Sequence, residues 1–155
     1  MRLYISFAKT CELKEADLYF KMVIRRAILA TLEHEGVERD CDVSVTLCDN
    51  TYIHKLNKKF RGKDKHTDVL SFPLYEREEI EKLPVGEPLS LGDIVLSLEQ
   101  AREQAKSIGN TFLEEVAFLT VHSTLHLLGY DHERSQEDEE EQCKRQRRIA
   151  STLEI

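Results

Sequence analysis

The chain has 155 residues, of which 41% are hydrophobic and 33% are charged, and its formal net charge is −7 at pH 7. This composition is typical of one globular domain and excludes wholesale disorder, and no run of about 18 apolar residues offers a membrane span. The N-terminal apolar run is too short for a signal peptide, so we expect a cytoplasmic protein whose four cysteines, which lack CxxC spacing, stay reduced.

Charge is unevenly distributed along the chain. The segment between His54 and His66 contains one acidic residue, Asp64, and six basic residues: Lys55, Lys58, Lys59, Arg61, Lys63 and Lys65. Acids concentrate in residues 76–87 and 137–141. The net charge argues against a protein that coats a polyanion, but a local basic patch can bind nucleic acid. Taken alone, such a segment is more often a solvated surface.

The first part of the chain predicts two strands and two helices. Residues 2–7 alternate weakly, as in an edge strand, and residues 15–34 carry apolar side chains at helical spacing before Gly36. Residues 42–48 alternate as a strand, and residues 52–60 fit a short helix that leads into the basic segment.

The middle of the chain predicts two more strands separated by a loop. Residues 67–72 form a strand that Pro73 ends, and residues 76–90, rich in acids and turn residues, form a loop. Residues 93–98 then form a buried strand that runs into a helix, which Gly109 stops.

Three capping boxes mark the starts of the last three helices. They lie at residues 97–100, 111–114 and 135–138, and the second helix continues to Leu128 and ends at Gly129. The last helix has acids in its first turns and bases near its end, which suits the helix dipole.

These elements predict a single domain over residues 1–155 of the α+β class. We expect a small mixed β-sheet of about four strands packed with about five helices, because too few βαβ units are present for a doubly wound sheet.

Three histidines indicate a metal site. His122 and His126 are four residues apart on a helix and therefore project from one face. Gly129 can turn the chain so that His132 returns towards that face. Three imidazoles with an open fourth position are typical of catalytic zinc, which lowers the pKa of a bound water to about 7.

Other interpretations of these histidines carry less weight. Two histidines on an apolar helix can be ordinary core residues, but burying two imidazoles without partners would cost about 1–3 kcal/mol each. A structural zinc with Asp131 or another group as fourth ligand is the remaining alternative. Ni²⁺ or Co²⁺ could substitute for Zn²⁺.

The spacing from His126 to His132 also matches the second half of the metzincin motif, H-E-x-x-H-x-x-G-x-x-H. Ser123 stands where a peptidase has its general-base glutamate. Glu115 lies about 10 Å away along the helix axis, too far to replace it. A peptidase is therefore disfavoured.

The basic segment suggests a phosphate-containing substrate. Arg61 could clamp a phosphate in a bidentate fork, the lysines could follow a nucleic-acid backbone, and Phe60 could stack on a base. This interpretation gains weight only if the segment folds beside the histidines.

Three segments together resemble the YbeY family of bacterial endoribonucleases that mature ribosomal RNA: Leu56–Pro73, Leu91–Ile94 and His122–His132. The resemblance covers most of the chain. It implies an α+β fold, one zinc on the three histidines, and a role in 16S rRNA processing, particularly of the 3′ end, and in ribosome quality control.

The resemblance also places functional residues. The functional arginine of the family falls on Arg61 and its first motif histidine on His122, so we expect both to be catalytic residues. The sequence departs from the family pattern at Ser123, where glycine is expected; serine is small enough to leave the fold and the ligands intact.

Our first hypothesis is therefore a zinc-dependent, single-strand-specific endoribonuclease. Either a zinc-bound water attacks the phosphorus, or the metal stabilises a phosphorane while a 2′-hydroxyl attacks, and Arg61 holds the phosphate oxygens in both routes. Asp68, His66 and Asp131 are candidate general bases.

Two alternatives belong to other classes. One is a non-catalytic, ribosome-associated factor with a structural zinc, and the other is a metal-dependent hydrolase of peptides or small molecules. We expect single-stranded or ribosomal RNA and ribosomal particles or ribosome-associated proteins as partners, and neither DNA nor a membrane.

Overall fold

The computed structural model of the protein describes residues 1–12, 17–130 and 136–153. Within these ranges it has four strands and six helices, of which α1 and α5 are among the longest. In chain order they are β1 (Leu3–Lys9), α1 (Asp17–His34), β2 (Cys41–Cys48), α2 (Asn50–Arg61), β3 (Val69–Pro73), α3 (Arg77–Lys82), β4 (Leu89–Ser97), α4 (Leu98–Ile108), α5 (Phe112–Leu127) and α6 (Gln136–Ser151).

The four strands form one mixed sheet in the order β1-β2-β4-β3. β1, β2 and β4 are parallel, and β3 is antiparallel to β4. β1 is an edge strand, as predicted. β3 is the other edge strand and includes Pro73, which an edge tolerates because no further strand needs the missing N–H.

Gly92 allows β3 and β4 to pair. Its φ is +135°, and a Cβ at this position would collide with the carbonyl oxygen of Phe72 on β3. The strand predicted to begin at Asp93 begins earlier, at Leu89, because Leu89 and Ser90 pair with Cys41 and Asp42 of β2. The register with β2 shifts between Asp42 and Val43.

The two faces of the sheet are covered unequally. The main core packs α1, α4 and α5 against one face, with side chains such as Ile94 and Leu96 of β4. A smaller cluster on the other face joins Ile53 of α2 to Leu70 and Val95. These residues alternate along β4 because successive side chains of a strand point to opposite faces.

Helix α5 lies at the centre of the domain. It packs against α1, α4, α6, β3 and β4, and most of its residues are buried. This burial agrees with the apolar character predicted nearly all round this helix, and it makes α5 a rigid support for the side chains that it presents.

The prediction of a loop over residues 76–90 was wrong, because this stretch contains helix α3 and the start of β4. Glu76 and Glu79 form a capping box around the first turn of α3, and Ile80 and Leu83 pack against the main core. The sequence pattern favoured a loop here, because the stretch is rich in acidic residues and contains Pro84, and the residues of the capping box are themselves glutamates. The α+β class is confirmed, with one helix more than expected.

Two predicted helix starts lie outside the described residues, namely Glu15 of the first helix and Ser135 of the third capping box. In the part of the chain that the structure describes, no helix is both long and apolar enough to cross a membrane.

Candidate active site

A cleft of about 670 Å³ opens between β3, the end of α2, the start of α3 and helices α5 and α6. Arg61, His122 and His126 all line it, so the structure brings the basic segment and the histidine pair together. The remaining lining residues are Val69, Leu70, Ser71, Pro73, Tyr75, Glu76, Arg77, Glu78, Gly129, Tyr130, Asp138, Glu141 and Arg145. Two predicted site residues, His132 and Asp131, lie outside the described residues.

His122 and His126 form a close pair on α5. Their ring centroids are 4.8 Å apart and the ring planes are inclined by 55°. Both imidazoles are half-buried, in contrast to the fully buried residues that flank them. Among the described residues no three or more His, Cys, Asp or Glu side chains form a metal-binding cluster. The two imidazoles are side chains of the type that zinc prefers, and the third predicted ligand follows Gly129 by three residues.

The C-terminal end of α5 turns the chain sharply. Gly129 has a φ of +101°, and the backbone N–H of Tyr130 donates to the carbonyl oxygen of Leu125 at 3.1 Å. This is the arrangement of a helix that ends in a left-handed glycine. Helix α5 therefore ends at Leu127, one residue before the predicted Leu128, and the chain turns at Gly129 as the sequence predicted.

Helix α6 supports His122 from behind with two buried glutamines. The Nδ1 atom of His122 lies 3.0 Å from Oε1 of Gln146 and 3.4 Å from Nε2 of Gln142. The two contacts require opposite tautomers, and the shorter one favours a proton on Nδ1 that is donated to Gln146. Such a ring carries its lone pair on Nε2, as a metal ligand requires.

Sequence reasoning missed both glutamines. Their four-residue spacing on one face of α6, in line with buried Ile149, was the available signal. It was obscured because the same helix is dominated by charged residues on its exposed faces.

Ser123 is accommodated by a partner on β3. It is fully buried, and its hydroxyl shares a short hydrogen bond with the hydroxyl of Ser71, which lines the cleft. The residue that departs from the expected glycine therefore ties α5 to the edge strand directly beside His122.

Arg61 is the last residue of α2, whose end is well defined. Gly62 adopts a left-handed conformation with a φ of +68°, and the buried side chain of Asn57 donates to the carbonyl oxygen of Lys65 at 2.9 Å. The segment after Gly62 therefore folds back on α2. Arg61 is exposed and reaches the cleft from this fixed turn.

All six basic side chains of the segment are exposed. Phe60 is 57% exposed, with Lys59 Nζ 5.2 Å from its ring centroid. Asp64 lies 2.7 Å from Nε2 of His54, and this hydrogen bond and the Lys58 charge lower the pKa of Asp64. The segment thus presents a positive surface that continues from the cleft.

The α6 side of the cleft is built around Tyr130. The guanidinium groups of Arg77 and Arg145 lie 4.7 and 5.0 Å from its ring centroid. Arg145 donates to both carboxylate oxygens of Glu35, at 2.8 and 3.0 Å, and to Glu141 at 2.9 Å. The sequence explained Arg145 by the helix dipole, whereas the structure gives it specific carboxylate partners.

The carboxyl group of Glu35, which binds Arg145, has a lowered pKa. Burial raises its pKa, but hydrogen bonds from its neighbours, among them His34 Nδ1 at 2.8 Å and Arg145, outweigh burial and lower the pKa below its usual value. Glu35 is therefore ionised at neutral pH and holds Arg145 in place.

Two of the candidate general bases, Asp68 and His66, are not among the residues that line the cleft. Asp68 accepts hydrogen bonds from the backbone N–H of Val69 at 2.7 Å and from Gln104 at 3.3 Å. Gln104 also donates to Glu115 at 3.2 Å, and burial raises the pKa of Glu115. Neither these carboxylates nor His66 is among the described residues that line the cleft.

The fold and this cleft define a small α+β domain with a histidine pair and an arginine at one site. The chain matches the family described as Endoribonuclease YbeY over residues 7–154. It belongs to that family, as the resemblance of its motifs predicted.

Similar proteins span nearly the whole chain. A protein named Endoribonuclease YbeY from Bacillus cereus is 41% identical over 152 residues, which cover 96% of this chain and 95% of that protein. A protein of the same name from Caldanaerobacter subterraneus subsp. tengcongensis is 56% identical over 120 residues, covering 74% of this chain and 76% of the relative.

A solved structure has a similar fold. The solution structure of TM1509 from Thermotoga maritima superposes with a TM-score of 0.61 at 29% sequence identity, covering 94% of this chain and 86% of that one.

Proposed function

We propose that the protein is a zinc-dependent, single-strand-specific endoribonuclease of the cytoplasm that acts in 16S rRNA 3′-end maturation and ribosome quality control. One observation carries the proposal: Arg61, from the basic segment, lines the same cleft as His122 and His126. Membership of the YbeY family and the names of the relatives support RNA as the substrate.

His122, His126 and His132 would hold the zinc ion. When bound, zinc supplies an activated nucleophile and stabilises the charge that develops on the phosphodiester. The chain orients the first of these ligands, because Gln146 accepts the Nδ1 proton of His122 and so leaves the lone pair of Nε2 for a metal ion.

Arg61 binds the non-bridging oxygens of the scissile phosphate. A guanidinium presents a planar fork of N–H donors that matches two phosphate oxygens, and its charge strengthens these bonds as negative charge develops. Its place at the fixed end of α2 limits the motion of the backbone that carries it. Arg61 has this role whether water or a 2′-hydroxyl attacks.

The exposed lysines on and after α2 bind the rest of the strand. Lys55, Lys58, Lys63 and Lys65 supply charge for a phosphate backbone, and Phe60 supplies an aromatic face for a base. Stacking on Phe60 requires a base outside a duplex, which favours single-stranded RNA.

A peptidase lacks support in this cleft. Its mechanism needs a carboxylate next to His122, where Ser123 is instead buried and hydrogen-bonded to Ser71. Glu115, the nearest glutamate on α5 in the N-terminal direction, is directed to Gln104.

The test is cleavage of a labelled single-stranded RNA by the wild type, His126→Ala and Arg61→Ala, purified identically and with zinc content measured. We expect His126→Ala to lose zinc and all cleavage. We expect Arg61→Ala to keep its zinc and lose about 10²–10³-fold in rate, the usual effect of removing one group that stabilises the transition state.

Arg147→Ala is the matched control, because Arg147 is exposed and outside the cleft lining; it should cleave like the wild type. Equal cleavage in all four proteins would indicate a contaminating nuclease. No cleavage by a zinc-loaded wild type would favour a non-catalytic ribosome-associated factor, and either result would contradict the proposal.

A further inference from the structure

Arg77 is a second exposed arginine in the cleft, beside the Arg61 of the proposed function. It is the first residue of α3, whereas Arg61 ends α2, so two separate helices bring these guanidinium groups to one cleft. Its guanidinium lies over the ring of Tyr130, a residue 8% exposed, at 4.7 Å from the centroid.

The backbone holds Arg77 close to the histidine-bearing segment. A Cβ on Gly129 would lie 2.6 Å from Cβ of Arg77 and 3.1 Å from its Cα. Only glycine leaves room for this approach, and Gly129 follows His126 by three residues. The start of α3 is therefore fixed directly on the turn that ends α5.

The two arginines that contact Tyr130 differ in what they can bind. Arg145 is engaged by the carboxylates of Glu35 and Glu141. Among residues 1–12, 17–130 and 136–153, no hydrogen bond or ion pair joins the Arg77 guanidinium to a partner, and the side chain is exposed. A stacked guanidinium keeps its in-plane N–H donors, which suit a bidentate contact with an oxyanion.

We propose that Arg77, stacked on Tyr130, forms a second phosphate subsite that binds a non-scissile phosphate of the RNA strand, next to the one held by Arg61. This inference rests on the proposed function. Four acids, Glu76, Glu78, Asp138 and Glu141, line the same part of the cleft. Their charges repel a polyanion, so this side of the cleft admits a single phosphate at Arg77 whereas the α2 side follows the strand.

The first experiment compares the zinc-loaded wild type with Arg77→Gln and Arg102→Gln. Arg102 is the matched control, since its guanidinium also stacks on an aromatic ring, that of Phe112 at 4.4 Å, but outside the cleft lining. Binding of a fluorescent, short 2′-O-methyl oligoribonucleotide is measured by anisotropy over a range of salt, with the integrity of the oligonucleotide checked on a gel.

We expect Arg77→Gln to bind about tenfold more weakly, the loss of one charged hydrogen-bonding group. The slope of log affinity against log salt should decrease by about 0.7, the value for one phosphate contact on a single strand. Arg77→Lys keeps the charge without the planar fork, so its affinity should lie between those of the wild type and Arg77→Gln. Arg102→Gln should match the wild type, and thermal melting shows whether each variant is folded.

The second experiment identifies the phosphate itself. A set of the same oligonucleotides carries one neutral methylphosphonate each, at successive positions. In the wild type and Arg102→Gln, a methylphosphonate at the position that Arg77 contacts should lower the affinity about tenfold. In Arg77→Gln that position should cost nothing further, while the position contacted by Arg61 keeps its effect.

The outcomes separate this inference from the proposed function. The second subsite does not exist if Arg77→Gln binds the unmodified oligonucleotide as tightly as Arg102→Gln does. It also does not exist if each methylphosphonate lowers the affinity of Arg77→Gln as much as that of the wild type. Neither result would contradict cleavage of RNA by the wild type. If the wild type neither binds the oligonucleotide nor cleaves RNA, the proposed function and the subsite both fail.

Discussion

The imidazole of His122 is supported by two amide side chains from helix α6. Gln146 and Gln142, both from α6, face its Nδ1 atom, and both are buried. Buried amides cost free energy unless they are hydrogen-bonded, and the 3.0 Å contact of Gln146 Oε1 with Nδ1 favours one orientation and one tautomer of the ring.

We therefore predict that Gln146→Leu weakens zinc binding by about 10–100-fold, the usual effect of removing the partner of a metal-ligating histidine. Zinc affinity can be measured by competition with a chromogenic chelator. Gln146→Glu keeps an acceptor for the Nδ1 proton and should retain tight binding. Equal affinity in wild type and Gln146→Leu would refute the positioning role, provided that both proteins melt cooperatively.

Two helix ends place Arg61 and His126, two residues of the proposed active site. The turn at Gly62 ends α2 at Arg61, and the turn at Gly129 ends α5 just after His126. Both glycines adopt positive φ angles, but a Cβ at position 62 would meet nothing within 4 Å, whereas at position 129 it would collide with Arg77. Gly129 therefore has two separate requirements, for its conformation and for its contact with α3.

Gly129→Ala should consequently destabilise the protein more than Gly109→Ala. Gly109 ends α4 with a φ of +79° and open space around it, so alanine there should cost only the left-handed strain of about 1–2 kcal/mol. At position 129 the displacement of Arg77 adds to a similar strain. Chemical denaturation of both variants gives the two free energies of unfolding, and equal values would contradict the close approach of α3.

Two carboxylates of the described residues, the partly buried Glu35 and the buried Glu115, have pKa values shifted in opposite directions. Glu35 joins the end of α1 to α6 through Arg145, and its pKa is lowered because hydrogen bonds outweigh burial. Glu115 lies inside the domain beside Gln104, and its pKa is raised, chiefly by burial. Glu35 therefore favours the folded state when ionised, and Glu115 when protonated.

The sign of each contribution follows from the direction of the shift. The stability from Glu35 is present above its unfolded pKa and is lost as pH falls through its lowered folded pKa. The stability from protonated Glu115 is present below its unfolded pKa and is lost as pH rises through its raised folded pKa.

We predict that Glu35→Gln lowers the free energy of unfolding at pH 7 by about 1–3 kcal/mol, with a smaller loss below about pH 4. Glu115→Gln should instead raise stability at pH 7 relative to the wild type and change it little at pH 4. Denaturation series at the two pH values measure both effects. A Glu35→Gln loss that is independent of pH would contradict the ionic role.

The sequence alone was sufficient for the elements with strong periodic or capping signals. The apolar spacing of α1, the capping box and terminal glycine of α5, and the alternation in β2 each follow from local physics, because they depend on residues within one or two turns. The histidine spacing on α5 has the same local origin. The family followed from motifs that are themselves local in sequence.

Only the tertiary structure brought Arg61 to the histidines, because this depends on the packing of α2 across one face of the sheet and α5 across the other. It also revealed α3, whose apolar residues pack against the main core. It likewise revealed the role of the glutamines of α6, since Gln146 lies 24 residues along the chain from its partner His122. Long-range packing decides these positions, since no periodicity within one element records which neighbour its side chains will meet.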